Sequence, residues 1–141
     1  MTRRQTLKLA SWFLGLALGA GSGSVFGQQA APTENKGVTV KALVAVDLGP
    51  EIKGMGGRQL RMRMVTIDPG GVFGIHSHKD PSRPATDYML QGSLIDHRGG
   101  VAKELRQGDT FSEDKRDTMH WLENKGTTPA VIIAVDVFKQ P

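Results

Sequence analysis

The chain of 141 residues has no cysteine. That excludes disulfide staples, thiolate metal ligands and cysteine nucleophiles. No internal repeat is present. No segment of useful length beyond the first thirty residues carries a 3.6-residue apolar period, so amphipathic helices are not expected there. Apolar residues form one long run only, Leu9 to Ala20. It is too short for a comfortable membrane span, which needs roughly 20 apolar residues. Acidic residues are absent before Glu34, and no charge of either sign falls between Leu9 and Thr33.

The first fifth of the chain reads as an address. Arg3, Arg4 and Lys8 form a basic start, the apolar run follows, and Gly21-Ser22-Gly23-Ser24 gives a small-residue exit. This is the layout of a secretory signal. Val25-Phe26-Gly27 is a suitable recognition site, with cleavage before Gln28 or nearer Ala30 and Ala31. Thr2-Arg3-Arg4-Gln5-Thr6-Leu7-Lys8 also resembles a twin-arginine export signal, departing from it at Thr6, where Phe is usual. The general secretory route is the alternative. Either implies a bacterial periplasmic or secreted protein without a stable membrane span after cleavage. The expected organisation is a signal over 1–27, a mobile linker over 28–37 and one domain over 38–141.

Cleavage also changes the charge. Loss of Arg3, Arg4 and Lys8 lowers Lys plus Arg from 18 to 15 against 14 acidic residues, leaving about +1. A near-neutral domain gives no reason to expect nucleic acid as a partner. The mature length is that of one domain able to bury its own core.

What is present is β-pattern and histidine. Gln59 to Ile67 alternates polar and apolar residues, the period-two signature of a half-buried strand. Asp68-Pro69-Gly70-Gly71 reads as a turn. Further strands are expected at Val38–Val44, Val72–His78, Thr86–Leu90, Ser93–His97, Val101–Leu105, Thr110–Phe111, His120–Glu123 and Ala130–Phe138. Many short strands with regular turns predict an all-β sandwich or barrel. Glu113-Asp114-Lys115-Arg116-Asp117 reads as a solvated charged loop.

His76 and His78 share one strand face, with Cα atoms roughly 7 Å apart. Two such imidazoles can converge on one ion, and His120 from another strand would make a third ligand. Imidazole suits Zn, Cu, Fe and Ni; the expected cofactor is a divalent transition metal, Fe, Mn, Ni, Cu or Zn.

These residues resemble the cupin superfamily, in particular its small single-domain conserved-barrel members (RmlC-like jelly rolls). The first cupin motif has Gly, five residues, His-x-His, a Glu shortly after, then six residues and Gly. Gly70, His76, His78 and Gly92 match it. Ala85 stands where the metal-binding Glu is usual. The second motif has Gly, a Pro-x-Gly turn, His, three residues and Asn; Gly108, His120 and Asn124 match. The resemblance implies a cupin-type double-stranded β-helix, a metal held by His76, His78 and His120, a small-molecule ligand and a homodimer.

Other residues carry weaker expectations. Asp87 shares strand parity with Ala85 and is the alternative carboxylate ligand. Arg61 and Arg63 either face inward and bind a carboxylate substrate, or face solvent while Met62 and Met64 fill the core; the second reading is favoured. Arg83 lies near the metal motif and could steer an anion. His97 reads as an exposed hairpin residue, Tyr88 and Trp121 as packing residues, and Asn124 as a turn residue or support for a ligand. Three functions are compatible with this pattern: a metal-dependent dioxygenase-like or other small-molecule enzyme, a non-catalytic periplasmic metal- or metabolite-binding protein, and a metal-free isomerase using a histidine as acid or base.

Overall fold

The computed structural model describes residues 30–79, 82–113 and 119–140. The segment expected to be an export signal and the 114–117 part of the charge run lie outside the described residues. Within them the chain forms eight strands and no helix: β1 (Lys36–Asp47), β2 (Arg58–His76), β3 (Ala85–Gln91), β4 (Ser93–Arg98), β5 (Val101–Arg106), β6 (Thr110–Glu113), β7 (His120–Glu123) and β8 (Ala130–Lys139). Every pairing is antiparallel. The order is β5-β4-β7-β2-β8-β3-β6, with β1 on the remaining edge of β2.

Strand β2 organises this curled sheet. Asp68-Pro69-Gly70-Gly71, expected as a turn, is instead a corner within one 19-residue strand. Before the corner, Arg58–Ile67 pair with Lys139–Ala130 of β8. After it, Val72 pairs with Glu123 and His76 with His120 of β7. Pro69 has no N–H to give a ladder, so it fits the point where one partner ends and the next begins. Gly70, at φ 71°, donates its N–H to the Asn124 carbonyl at 2.8 Å. A side chain at Gly71 would meet the Asp68 carbonyl oxygen at 2.8 Å and that of Lys36 at 2.9 Å, so the corner closes only on glycine.

Alternation then fills the interior. Val65 and Ile67 of β2, Met89 of β3, Leu94 of β4, Leu105 of β5, Leu122 of β7 and Ala130, Ile132 and Ala134 of β8 form one buried cluster. Burying each large aliphatic side chain contributes about 1.5–3 kcal/mol. Positions on the same faces nearer the barrel mouth are polar: Asp87 on β3, Asp96 on β4, Glu113 on β6, His120 on β7 and Asp136 on β8 are all buried. The strands that make the core also carry the site.

Several expectations change. Residues 30–35 are docked, not a free linker: the Ile75 N–H donates to the Pro32 carbonyl at 2.7 Å and Gly74 N–H to Asn35 Oδ1 at 2.8 Å. A Cβ at Gly74 would approach the Thr33 and Glu34 backbone to 3.0 Å. Arg61 and Arg63 share the inward parity of Val65, whereas Met62 is exposed, so the favoured assignment of that strand is reversed. A buried counter-charge, described below, outweighs the ordinary preference for methionine inside. His97 is no free hairpin residue; it lies opposite Trp121 in the β4–β7 ladder and stacks on its ring at 3.7 Å with planes 4° apart. Its Nε2 is 2.6 Å from Glu123 Oε1. Trp121 is buried, but Tyr88, on the outward parity of β3, is exposed. Asn124 is a buried turn residue that donates to the Ile67 and Thr128 carbonyls and accepts from the Gly126 N–H.

Candidate metal centre

His76 closes β2 and His120 opens β7 as its ladder partner. His78 follows two residues beyond β2. The ring centroids of His76 and His120 are 4.3 Å apart, those of His76 and His78 5.2 Å, and those of His78 and His120 5.7 Å. A fourth group joins them. One ligand atom from each of His76, His78, His120 and Glu113 lies within 4.8 Å of the other three.

Glu113 had been placed in a solvated loop. It is buried at the end of β6, directly opposite Ala85 in the β3–β6 ladder. Opposed residues of an antiparallel pair have Cβ atoms about 4.5–5.5 Å apart on one face. The carboxylate missing from position 85 is thus supplied across the ladder, into space that alanine leaves open. The sequence signal was obscured because Glu113 heads a run of charges. The parity of Thr110-Phe111-Ser112-Glu113 would have placed it inward with Phe111. Asp87 also points inward and is buried, but is not a member of the four-residue cluster.

Each imidazole is held in one orientation. His76 Nδ1 is 2.9 Å from the Gly74 carbonyl oxygen and His78 Nδ1 is 3.1 Å from that of Arg83. A carbonyl only accepts, so both Nδ1 atoms carry the proton and both Nε2 atoms keep their lone pairs. His120 Nδ1 is 3.0 Å from Asp96 Oδ1 and also 3.0 Å from Arg98 Nη2. Burial alone would raise the Asp96 pKa, but the His120 hydrogen bond and the Arg98 charge outweigh it and hold the carboxyl below its ordinary range. The ionised carboxylate takes the proton-bearing Nδ1, again leaving Nε2 available. Such tethering of the second ring nitrogen is what orients metal-binding histidines.

The donor atoms fit a cation. His120 Nε2 is buried and makes no hydrogen bond, although Glu113 Oε1 lies 3.2 Å away. A lone pair facing a carboxylate oxygen is repulsive unless positive charge sits between them. His78 Nε2 likewise faces Glu113, 2.5 Å from its Oε2. Burial raises the Glu113 pKa, but the His78 hydrogen bond and the neighbouring imidazoles bring it below the ordinary value. Burial also lowers His76 to about 4, against the opposing Gly74 hydrogen bond, which keeps this imidazole neutral near pH 7. Three imidazole nitrogens and one carboxylate oxygen suit a divalent first-row transition metal.

A narrow cavity of about 40 Å³ adjoins the cluster. Its lining combines His76, His78 and Glu113 with Arg63, Arg83 and Asp87, and with the apolar Phe73, Phe111, Leu122 and Ile132. Arg61 donates to Asp136 through Nε at 3.0 Å and Nη2 at 2.9 Å, and Arg63 Nη2 donates to Asp136 Oδ2 at 2.9 Å. Burial raises Asp136, but these guanidiniums overcome that and depress its pKa. Burial lowers the pKa of Arg63, opposed by Asp136 and reinforced by Arg61 and Arg83.

Comparison with known proteins agrees with this architecture. The cupin domain family matches residues 63–136, slightly more than half of the chain. The chain belongs to the cupin family. No curated protein matches it significantly. Among solved structures, a predicted oxalate decarboxylase from Thermotoga maritima is 21% identical, with 77% of this chain and 94% of that one covered at a TM-score of 0.57. The polyketide cyclase RemF from Streptomyces resistomycificus is 17% identical, with 78% and 71% covered at 0.59. KdgF from Halomonas sp. is 20% identical, with 73% and 84% covered at 0.55. At such identities the likeness is one of fold, and the fold is the jelly-roll β-barrel of cupins.

Asp87 provides a test of the cavity's polarity. Burial, with Glu113 adding, pushes its pKa up to about 8 against the opposing pull of Arg63 and Arg83. A carboxyl whose pKa is raised on folding takes up a proton, so its contribution favours folding at low pH and is lost as pH rises through the folded value. Asp87→Asn removes that loss. The variant should gain stability relative to the parent from pH 4 to 8, and the difference should level off above pH 8. Urea unfolding of the metal-free proteins at several pH values measures this; a difference that is flat with pH contradicts the raised pKa.

Proposed function

We propose that this cupin is an exported, metal-dependent enzyme acting on a small molecule, of the dioxygenase-like class. The observation that carries the metal reading is the convergence of His76, His78, His120 and Glu113, with every histidine Nδ1 already engaged. The metal, when bound, would supply a Lewis-acid or redox centre with coordination positions open to the cavity. The residues of the chain do the rest. Glu113 offsets the charge of a divalent ion, and Asp96 orients His120. The apolar wall of Phe73, Phe111 and Leu122 keeps water out and strengthens polar contacts inside. The alternative, a non-catalytic binding protein, drew its force from Ala85 at the carboxylate position. Glu113 supplies that carboxylate, which favours metal binding under either reading.

Elemental analysis of protein purified without a histidine tag and reconstituted with manganese or zinc should give close to one equivalent of metal. His76→Ala and Glu113→Ala should each weaken binding by at least about tenfold, on the scale of lost metal-orienting contacts. Ala85→Glu in the Glu113→Ala background should restore it, because the carboxylate returns to the same ladder level. Retention of metal by both single variants rejects the ligand set. Oxygen uptake or product formation by the loaded protein on organic acids supports an enzyme; binding without turnover supports the alternative.

The exported setting rests on the Arg3-Arg4 start and the apolar run that follows. Fractionation of a bacterial host expressing the full chain should recover a shortened protein outside the cytoplasm. Arg3→Lys together with Arg4→Lys should trap it inside if the twin-arginine route is used; full-length protein confined to the cytoplasm in both cases contradicts export.

A homodimer is the proposed assembly. Among the described residues β1 pairs on one edge only, and it exposes Val40, Leu43, Val44 and Val46. An open edge with apolar side chains is a template for pairing with a second copy. Light scattering should give twice the chain mass, and Val44→Lys should halve it. A monomeric parent at micromolar concentration refutes the dimer.

A further inference from the structure

Beside the histidines, the cavity lining carries guanidinium groups whose hydrogen bonding the chain leaves incomplete. Arg61, Arg63 and Arg83 gather around one buried carboxylate, Asp136. Arg61 is fully committed to it by two hydrogen bonds, and its guanidinium lies 3.5 Å from the centroid of Phe138. Arg63 uses one nitrogen on Asp136, while its Nε is buried without a hydrogen bond. Arg83 is held more loosely, with Nε 3.8 Å from Asp136 Oδ2 and Nη2 3.5 Å from His78 Nε2. Asp87, also in this wall, is 6% exposed and has an unpartnered buried Oδ2. With Glu113, which lines the same cavity, three guanidiniums face three carboxylates; what the chain leaves incomplete is the hydrogen bonding of Arg63 Nε and Asp87 Oδ2.

Orphaned buried donors and acceptors are costly, and a ligand that pairs with them removes that cost. We propose that Arg63 and Arg83 receive the carboxylate of a short organic acid, with Asp87 beside it and the rest of the ligand facing the histidine cluster. A guanidinium offers a planar pair of donors that matches a carboxylate's two oxygens. The cavity, about 40 Å³, is far below the roughly 300–1,000 Å³ of drug-sized sites. It therefore selects a ligand of few non-hydrogen atoms. The apolar wall leaves the carboxylate as the main handle.

Arg83 also links this wall to the metal cluster. Its Nη2 stands against His78 Nε2, the nitrogen that faces the cluster, and its own carbonyl holds His78 Nδ1. Once His78 Nε2 is given to a metal, the Arg83 guanidinium loses that acceptor and turns to the ligand. Metal and acid should then bind with positive coupling, reciprocal by linkage. The receptor rests on the proposed metal-site reading only for this coupling; the anion wall itself is present without it.

The experiment is isothermal titration of glycolate, with glycolamide as the uncharged control, into metal-free and zinc-loaded protein at low ionic strength. Glycolate should bind both forms, more tightly to the loaded one, and glycolamide neither. Arg83→Gln, in the loop between β2 and β3, should weaken glycolate at least tenfold in both forms and reduce the zinc-dependent gain. Arg63→Gln should weaken it similarly. No glycolate binding to either form, equal binding of glycolamide, or unchanged affinity in Arg83→Gln overturns the receptor. A protein that binds glycolate yet takes up no zinc keeps the receptor and rejects the metal reading instead.

Discussion

A strand has two edges, and β2 must serve three neighbours. It does so by changing partner at Pro69-Gly70, pairing with β8 before the corner and β7 after it, while β1 takes the other edge. Everything functional depends on that exchange. The part before the corner brings Arg61 and Arg63 beside Asp136 of β8. The part after it brings His76 beside His120 of β7. One continuous backbone thus fixes the distance between a cationic wall and an imidazole cluster. Backbone pairing, not side-chain contact, sets the spacing of the two halves of the site.

Burial governs the second level of organisation. His78, Glu113, His120, Asp96 and Asp136 are all buried, and a buried charge is tolerated only with partners. The partners are arranged in layers. Asp96 and two backbone carbonyls hold the far nitrogens of the imidazoles, and Glu113 faces the near ones. Arginines surround Asp136 in the same way. The region resembles a polar core with its own hydrogen-bond logic, continuous with the apolar cluster beneath it.

Much of this was readable from the residues alone. Period-two alternation and turn residues marked almost every strand, because a pleated, half-buried surface leaves that trace directly. The convergence of His76 and His78 was legible from their spacing, although His78 lies just past the end of β2, and His120 was placed with them by the family resemblance. What was not readable depended on which strands lie side by side. Glu113 is 28 positions from Ala85 and sits next to it only through the β3–β6 ladder. Arg61 and Arg63 turn inward because Asp136 of β8, opposite Arg61 and within reach of Arg63, is buried there, a pairing that local hydropathy cannot express. Residues 30–35 carried the composition of a linker, yet their backbone groups and Asn35 are bonded to β2. Composition records solubility; it does not record which hydrogen bonds an edge still lacks.

That docked segment also sets residues 30–35 apart from the end of β8. Pro32 is tied to Ile75, the neighbour of His76, whereas Lys139 pairs with Arg58 at the opposite end of β2. A peptide fused just ahead of residue 30 is consequently delivered to the rim of the imidazole cluster. One fused after residue 139 is carried away by the length of the longest strand. A polyhistidine tail at the first location would compete for the same ions as the protein itself. At the second it would be a bystander, and fluorescent or affinity labels placed there would leave the mouth of the barrel open.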